Sequence, residues 1–456
     1  VDALDRRRFR GFTQDRSQMT PIAEVNAGGE SRVRMAPMTS AFRSVVSSLL
    51  ALGAAGCLGE TTLLTPPKPA ATSVALTLTA EVEDTATANA LGWTDGIPDV
   101  AVTVTPQDSS SPPQQFQGST AGDVTLSQLA AGKYVLDGVR WLTEAERAQL
   151  PAGDDAVGFV TRVYINTAAV GANVAAVMVA SRRHGLVISE WDDLALFDPK
   201  LLSAYLFSDY IGLYNNTDTT IYLDGLIVGN GLNYDYDFPI FPCSASATYS
   251  LDPQGIWALW FHQLPGSGTD YPLPPGKSVV LATDAIDHRP LFSLGLDLRN
   301  ADFEFYAGGS DVDNPAVPNA RDIGVGHEPL GHGLLWDASG VGAVAWVARP
   351  FDPATLHTEI IVGRTWARIP ASALLDVAAD KSLYQDGYPH CSSGMVNPRF
   401  DRQAVSVFGA NPLWDDTLAL RRREAPFTIN GQTVLQYTRT SAWDFKVVPL
   451  SPFAKP

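Results

Sequence analysis

Two histidines flank a glutamate in His327-Glu328-Pro329-Leu330-Gly331-His332, which invites comparison with the zinc-protease pattern H-E-x-x-H. That pattern works because histidines one helical turn apart share a face and ligate one metal ion. Here the histidines are five residues apart, and Pro329 and Gly331 disfavour the helix that would align them. A polar loop is expected. Gly276-Lys277-Ser278 copies the end of a phosphate-binding loop, but Tyr271 stands where that loop needs its first glycine. Neighbouring prolines also remove amide donors that a phosphate would need. The segment is expected to be a turn entering a strand over residues 278–282.

Carboxylates on a tight loop suit a hard cation such as calcium. Asp311, Asp313 and Asn314 lie together on one such loop, and Asn233, Asp235 and Asp237 on another. Neither completes an EF-hand: Pro315 and Ala316 occupy loop positions five and six of the first, Phe238 and Ser244 positions six and twelve of the second. The first loop is the candidate calcium site; a solvated turn closed by side-chain hydrogen bonds is its alternative. No other cofactor is expected. For nucleophilic catalysis there is no G-x-S-x-G and no C-x-x-C, and His184, His262, His288, His357 and His390 are scattered along the chain. These residues nominate no catalytic group and point away from an enzyme. The aromatic-rich run 205–236, with Phe238, Phe241 and Tyr249, is expected mostly to fill core, and a carbohydrate- or protein-binding face is its alternative. Ile256-Trp257-Ala258-Leu259-Trp260-Phe261 is expected to be core.

Such residues need a scaffold, and alternation says which kind. Val74, Leu76, Leu78, Ala80 and Val82 alternate with polar residues, as do Val100, Val102 and Val104, so both runs predict strands with one buried face. Residues 122–129 and 132–139 look like a hairpin pair, Thr143 to Glu146 has capping-box spacing, and strands return over 157–167 and 173–180. The chain has 456 residues, 45% of them hydrophobic and 18% charged, enough to bury ample core in about three domains. Its formal charge of −17 repels phosphate, which excludes nucleic acid as a partner.

Arg43, then a short apolar run over residues 45–56, has the layout of a secretory signal too short to span a bilayer. Ala54-Ala55-Gly56-Cys57 resembles a bacterial lipobox, which implies that Cys57 is lipidated and heads the mature chain. Residues 1–34 are expected to be a mis-assigned leader ahead of a start at Met35 or Met38, and a real extended leader is the alternative. Without residues 1–56 the charge becomes −20. Cys243 and Cys391 then remain as an even pair in an oxidising compartment, so a disulfide is expected, with two separate buried thiols as the alternative. Residues 57–73, rich in Pro and Thr, form an extended tether.

Residues 74–183, with Ala131-Gly132-Lys133-Tyr134 at a turn, resemble a carboxypeptidase-regulatory or transthyretin-like sandwich. Residues 184–456 resemble a lamin-tail domain through Val187-Ile188-Ser189-Glu190, Leu213-Tyr214-Asn215 and Leu223-Asp224-Gly225-Leu226, with Gly212 where that family commonly has Glu. The resemblance implies an immunoglobulin-like sandwich carrying long insertions. Asp302 to Tyr306, then Asp311-Val312-Asp313-Asn314-Pro315 and Val317-Pro318-Asn319, resemble an uncharacterised lipoprotein family met beside outer-membrane transport components. The fold class expected is therefore all-β, with two β-sandwich domains. The expected protein is a lipoprotein held in the outer membrane through Cys57, facing the periplasm or the cell surface and acting as a binding or scaffolding module. An accessory to an outer-membrane uptake receptor and a metal-dependent hydrolase are the alternatives.

Overall fold

A computed structural model describes residues 72–454 apart from 108–110, 168–172, 193–195, 199–202, 206–207, 232–242, 293–294, 307–311, 326–343, 362, 382–395 and 407–417. The chain is built predominantly from strands, as the alternating patterns require. The first seven are β1 (Thr72–Ala80), β2 (Ala101–Pro106), β3 (Gln114–Gln117), β4 (Asp123–Leu129), β5 (Lys133–Trp141), β6 (Ala156–Asn166) and β7 (Asn173–Arg182). They form one sheet in the order β3-β2-β5-β6-β7-β1-β4. The sheet curls, because Val74 and Leu76 of β1, Val102 and Val104 of β2, Val124 and Leu126 of β4 and Leu136 of β5 all bury in a single core. Burying such side chains contributes about 1.5–3 kcal/mol each.

Two expectations fail here for physical reasons. The segments 122–129 and 132–139 are not a hairpin: β4 pairs with β1, Leu76 opposite Val124, while β5 pairs with β2 and β6. Both strands point apolar residues into one core from opposite layers, so Ala130 to Gly132 must cross between layers instead of reversing within one. Thr167 pins that crossing: its hydroxyl accepts from Gly132 N at 2.9 Å and donates to Ala130 O at 3.1 Å. Val82 does not extend β1 either. It lies in a 3-10 turn, Val82–Asp84, and is 88% exposed. The turn instead buries Asp84, whose carboxylate accepts from Ala180 N at 2.8 Å and pairs with Arg182 at 2.7 Å.

Between β5 and β6 the predicted helix forms as α1 (Glu144–Arg147). Thr143 Oγ accepts from Glu146 N at 3.2 Å, and Glu146 accepts from Thr143 N at 2.7 Å, completing the capping box. Thr143→Ala should cost about 1 kcal/mol, read as a lower urea midpoint at unchanged slope. An unchanged midpoint would show that the cap contributes nothing.

The second sheet has twelve strands: β8 (Leu186–Trp191), β9 (Tyr210–Asn215), β10 (Ile227–Asn230), β11 (Phe261–Gln263), β12 (Ser278–Ala282), β13 (Phe303–Tyr306), β14 (Asn319–Asp322), β15 (Val344–Ala348), β16 (Leu374–Lys381), β17 (Val405–Ser406), β18 (Leu418–Arg422) and β19 (Phe445–Pro449). Their order is β17-β16-β15-β10-β11-β14-β13-β12-β9-β8-β18-β19. β12, β13 and β14 run parallel to one another, and most other neighbours are antiparallel. Ile188, Ile211, Val228, Phe303, Phe305, Ala345, Ala378 and Leu420 share one core although they come from strands across the whole sheet, so this sheet also curls on itself.

A hairpin, Glu424–Ile429 with Gln432–Leu435, carries the second sheet onto the first. Asn430 and Gly431 have φ of 53° and 74°, the positive values a tight hairpin turn requires. Ala425 and Val434 bury against Val157 of β6, and Phe427 packs edge-on to Trp141 with ring centres 5.9 Å apart. Both sheets thus lie within one compact unit, residues 69–456.

Candidate functional site

Of the residues singled out from the sequence, Cys57, Asn233, Asp235, Asp237, Asp311, His327, His332, His390 and Cys391 lie outside the described residues. Cys243 begins the helix Cys243–Ser250. In the calcium candidate, Asp313 Oδ1 accepts from Asn319 Nδ2 at 2.8 Å. Asn314 is fully engaged: its N–H donates to Glu304 Oε2 at 2.9 Å, its Nδ2 to Ala285 O at 2.7 Å, and its Oδ1 accepts from Ala316 N at 3.2 Å. Among the described residues no group of three or more His, Cys, Asp or Glu is arranged to hold a metal ion. Gly276, at φ 68°, donates its N–H to Asn215 O and opens β12 as the expected turn.

The histidines sit on separate elements. His184 stacks on Tyr437 at 4.1 Å, and His357 meets Glu359 at 3.0 Å. His288 Nε2 lies 2.9 Å from Asp284 O. His262 is buried beside Phe305, and burial holds its pKa down at about 4, so it is neutral at physiological pH. Ile256, Trp257, Leu259 and Phe261 bury as core, and of the tyrosines nominated for a binding face Tyr210 and Tyr214 are buried while Tyr222 is half exposed.

Two polar constellations do assemble. The first lies on the outer face of the second sheet, where Glu190 accepts from the Tyr210 hydroxyl and from Arg421 Nε. Arg421 also donates to Ser451 Oγ. Burial, then the charges of Glu190 and Asp192, push the Tyr210 phenol well above its usual range. Beside them a recess of about 10 Å³, measured to the centre of a water-sized sphere, is lined by Ser189, Gly212, Ser278 and Pro452. That volume holds about one water molecule. Gly212 is one of its lining residues, and a Cβ there would meet Ser189 Oγ at 2.9 Å.

The second constellation is the joint between the sheets. Arg422 is 1% exposed, and its guanidinium meets Asp376 at 2.7 Å and Asp444 at 3.3 Å. Its Nε donates to Ile188 O at 2.7 Å, and it lies 4.4 Å above the Phe445 ring. Burial raises both aspartates, and Arg422 opposes that rise. Asp401 lies buried nearby; it accepts from Ser441 N at 2.9 Å, Gln403 N at 3.1 Å and Ala379 N at 3.1 Å. From this core the contacts run outward to the first sheet. Arg402 reaches Glu81 at 2.5 Å and Glu83 at 2.8 Å, and Arg439 reaches Glu83 at 2.9 Å. Arg162 Nη1 donates to Ala442 O at 2.6 Å, and Arg182 N to Tyr437 O at 2.9 Å. The sequence carried one sign of this cluster: strand alternation places Arg422 on the same face as buried Leu420.

Residues 274–333 match a family described as Protein of unknown function (DUF4876). The matched span holds β12, β13 and β14 and the stretch 302–319, on which the resemblance to an uncharacterised family rests. The crystal structure of a DUF4876 family protein from Bacteroides thetaiotaomicron is similar over 83% of this chain and 96% of that one, with 18% identity and a TM-score of 0.47. The full-length major pilin SpaD from Corynebacterium diphtheriae is similar over 37% of this chain and 42% of that one, with 13% identity and a TM-score of 0.15. No curated protein matches.

Proposed function

We propose that the chain is a lipid-anchored cell-envelope protein that binds or scaffolds, presenting two joined β modules on a tether. The observation that carries this reading is Ala54-Ala55-Gly56-Cys57 at the end of a short apolar run, followed by a Pro- and Thr-rich spacer that leads into β1. The acidic balance fits a solvated, exported surface. In this reading the second module is a lamin-tail-like sandwich elaborated by the strands of residues 278–322. The salt bridges between the sheets favour a part that holds position over one that closes around a substrate.

The test is fractionation together with intact mass. The wild-type chain should partition with membranes and carry, on a mature chain starting at Cys57, the added mass of acyl groups; Cys57→Ser should be recovered in the soluble fraction. Identical fractionation of the two, with no acyl mass on the wild type, would overturn the proposal.

A further inference from the structure

Three buried carboxylates, Asp376, Asp401 and Asp444, lie at the joint, where the one buried guanidinium, Arg422, pairs with Asp376 and Asp444. Both ion pairs belong to Asp376 and Asp444, and among the described residues no cation reaches Asp401 within 4 Å. Its neighbours are N–H groups, Ser441 and the charge of Asp444. A second excess negative charge at such depth costs several kcal/mol, and the usual resolution is a bound proton. The position of Asp401 matters as much as its burial. It directly precedes Arg402, which clamps Glu81 and Glu83, and it anchors the first residue of the short helix Ser441–Asp444, whose Ala442 O holds Arg162 of the first sheet. Arg439, which clamps the same Glu83, is held at φ 58°, a conformation that costs a non-glycine residue free energy and persists only while its surroundings enforce it.

We propose that the joint is a proton-linked latch: Asp401 is protonated while the two sheets are clamped and ionises when the clamp opens, so acid tightens the joint and alkali loosens it. The groups facing Asp401 are Ser441 and Asp444 from the helix, Gln403 beside it in the chain and the Ala379 amide of β16. Burial, opposed by the Ser441 and Gln403 hydrogen bonds, pushes the Asp401 pKa up to about 7. A carboxyl raised in the closed state stabilises that state fully below its ordinary pKa, near 4, and loses the contribution as pH rises through 7.

The experiment is amide hydrogen exchange on the full chain between pH 5 and 8, corrected for intrinsic rates, with infrared detection of protonated carboxyl groups. Protection of Arg182 N, Ala442 N and Asp444 N should fall by up to about tenfold per pH unit to pH 7, then level off. A protonated-carboxyl band should be present at pH 6, and Asp401→Asn should remove both the band and the pH dependence. Flat protection of these amides in the wild type would overturn the proposal, and that measurement stands even if the variant does not fold. An Asp401→Asn protein that folds and keeps the wild-type pH dependence would overturn it equally.

Discussion

Arg422→Met should lose about 3–5 kcal/mol of stability at neutral pH, the largest loss expected of any single change at the joint. Methionine restores volume and apolar contact but leaves Asp376 and Asp444 buried without their cation. It also removes the guanidinium stacked on Phe445 and the bond from Nε to Ile188 O. The loss should depend on pH in a definite direction. Burial already raises both carboxyls, and without Arg422 the largest opposition to that rise is gone and only hydrogen bonds and the more distant His184 remain, so the variant relaxes by taking up protons. A folded-state pKa above the unfolded value stabilises at low pH and ceases to do so as pH rises. Urea unfolding at pH 5 and pH 8 should therefore show a larger deficit relative to wild type at pH 8. An equal deficit at both would assign the effect to packing alone.

Gly212→Glu should be nearly as damaging, for a different reason. Glutamate is the residue the lamin-tail resemblance leads one to expect there, yet the structure has no place for it. The Cβ alone meets Ser189 Oγ at 2.9 Å, and the recess beyond holds about one water. Arg421 is already committed to Glu190, so a new carboxylate would be a second anion beside one cation. A loss of about 3–5 kcal/mol is expected for Gly212→Glu, against about 1–3 for Gly212→Ala, which brings only the steric part. Equal midpoints for the glutamate variant and wild type would show that the recess opens freely.

What the sequence made legible was local. Alternation located β1 and β2, strands were expected where β6, β7 and β12 lie, and the Thr143–Glu146 spacing located a helix end to the residue. Partner choice was not legible. A period of two says which face of a strand is buried and nothing about which strand lies beside it, so β4 looked like the mate of β5 when it is the mate of β1. Likewise Arg421-Arg422-Arg423 looks in sequence like a solvated basic run. Only the strand's placement separates Arg421, on the outer face with Glu190, from Arg422 in the joint. Asp376, Asp401 and Asp444 converge from 69 residues of chain, and no spacing rule connects them.

The place of β1 in the first sheet carries a mechanical consequence. It runs parallel to β7 on one side and antiparallel to β4 on the other. A pull delivered at Thr72 along the strand would load both ladders in shear, all their rungs together, instead of peeling them one at a time. A chain hung from its amino-terminal end would for that reason yield last at the point where it is held.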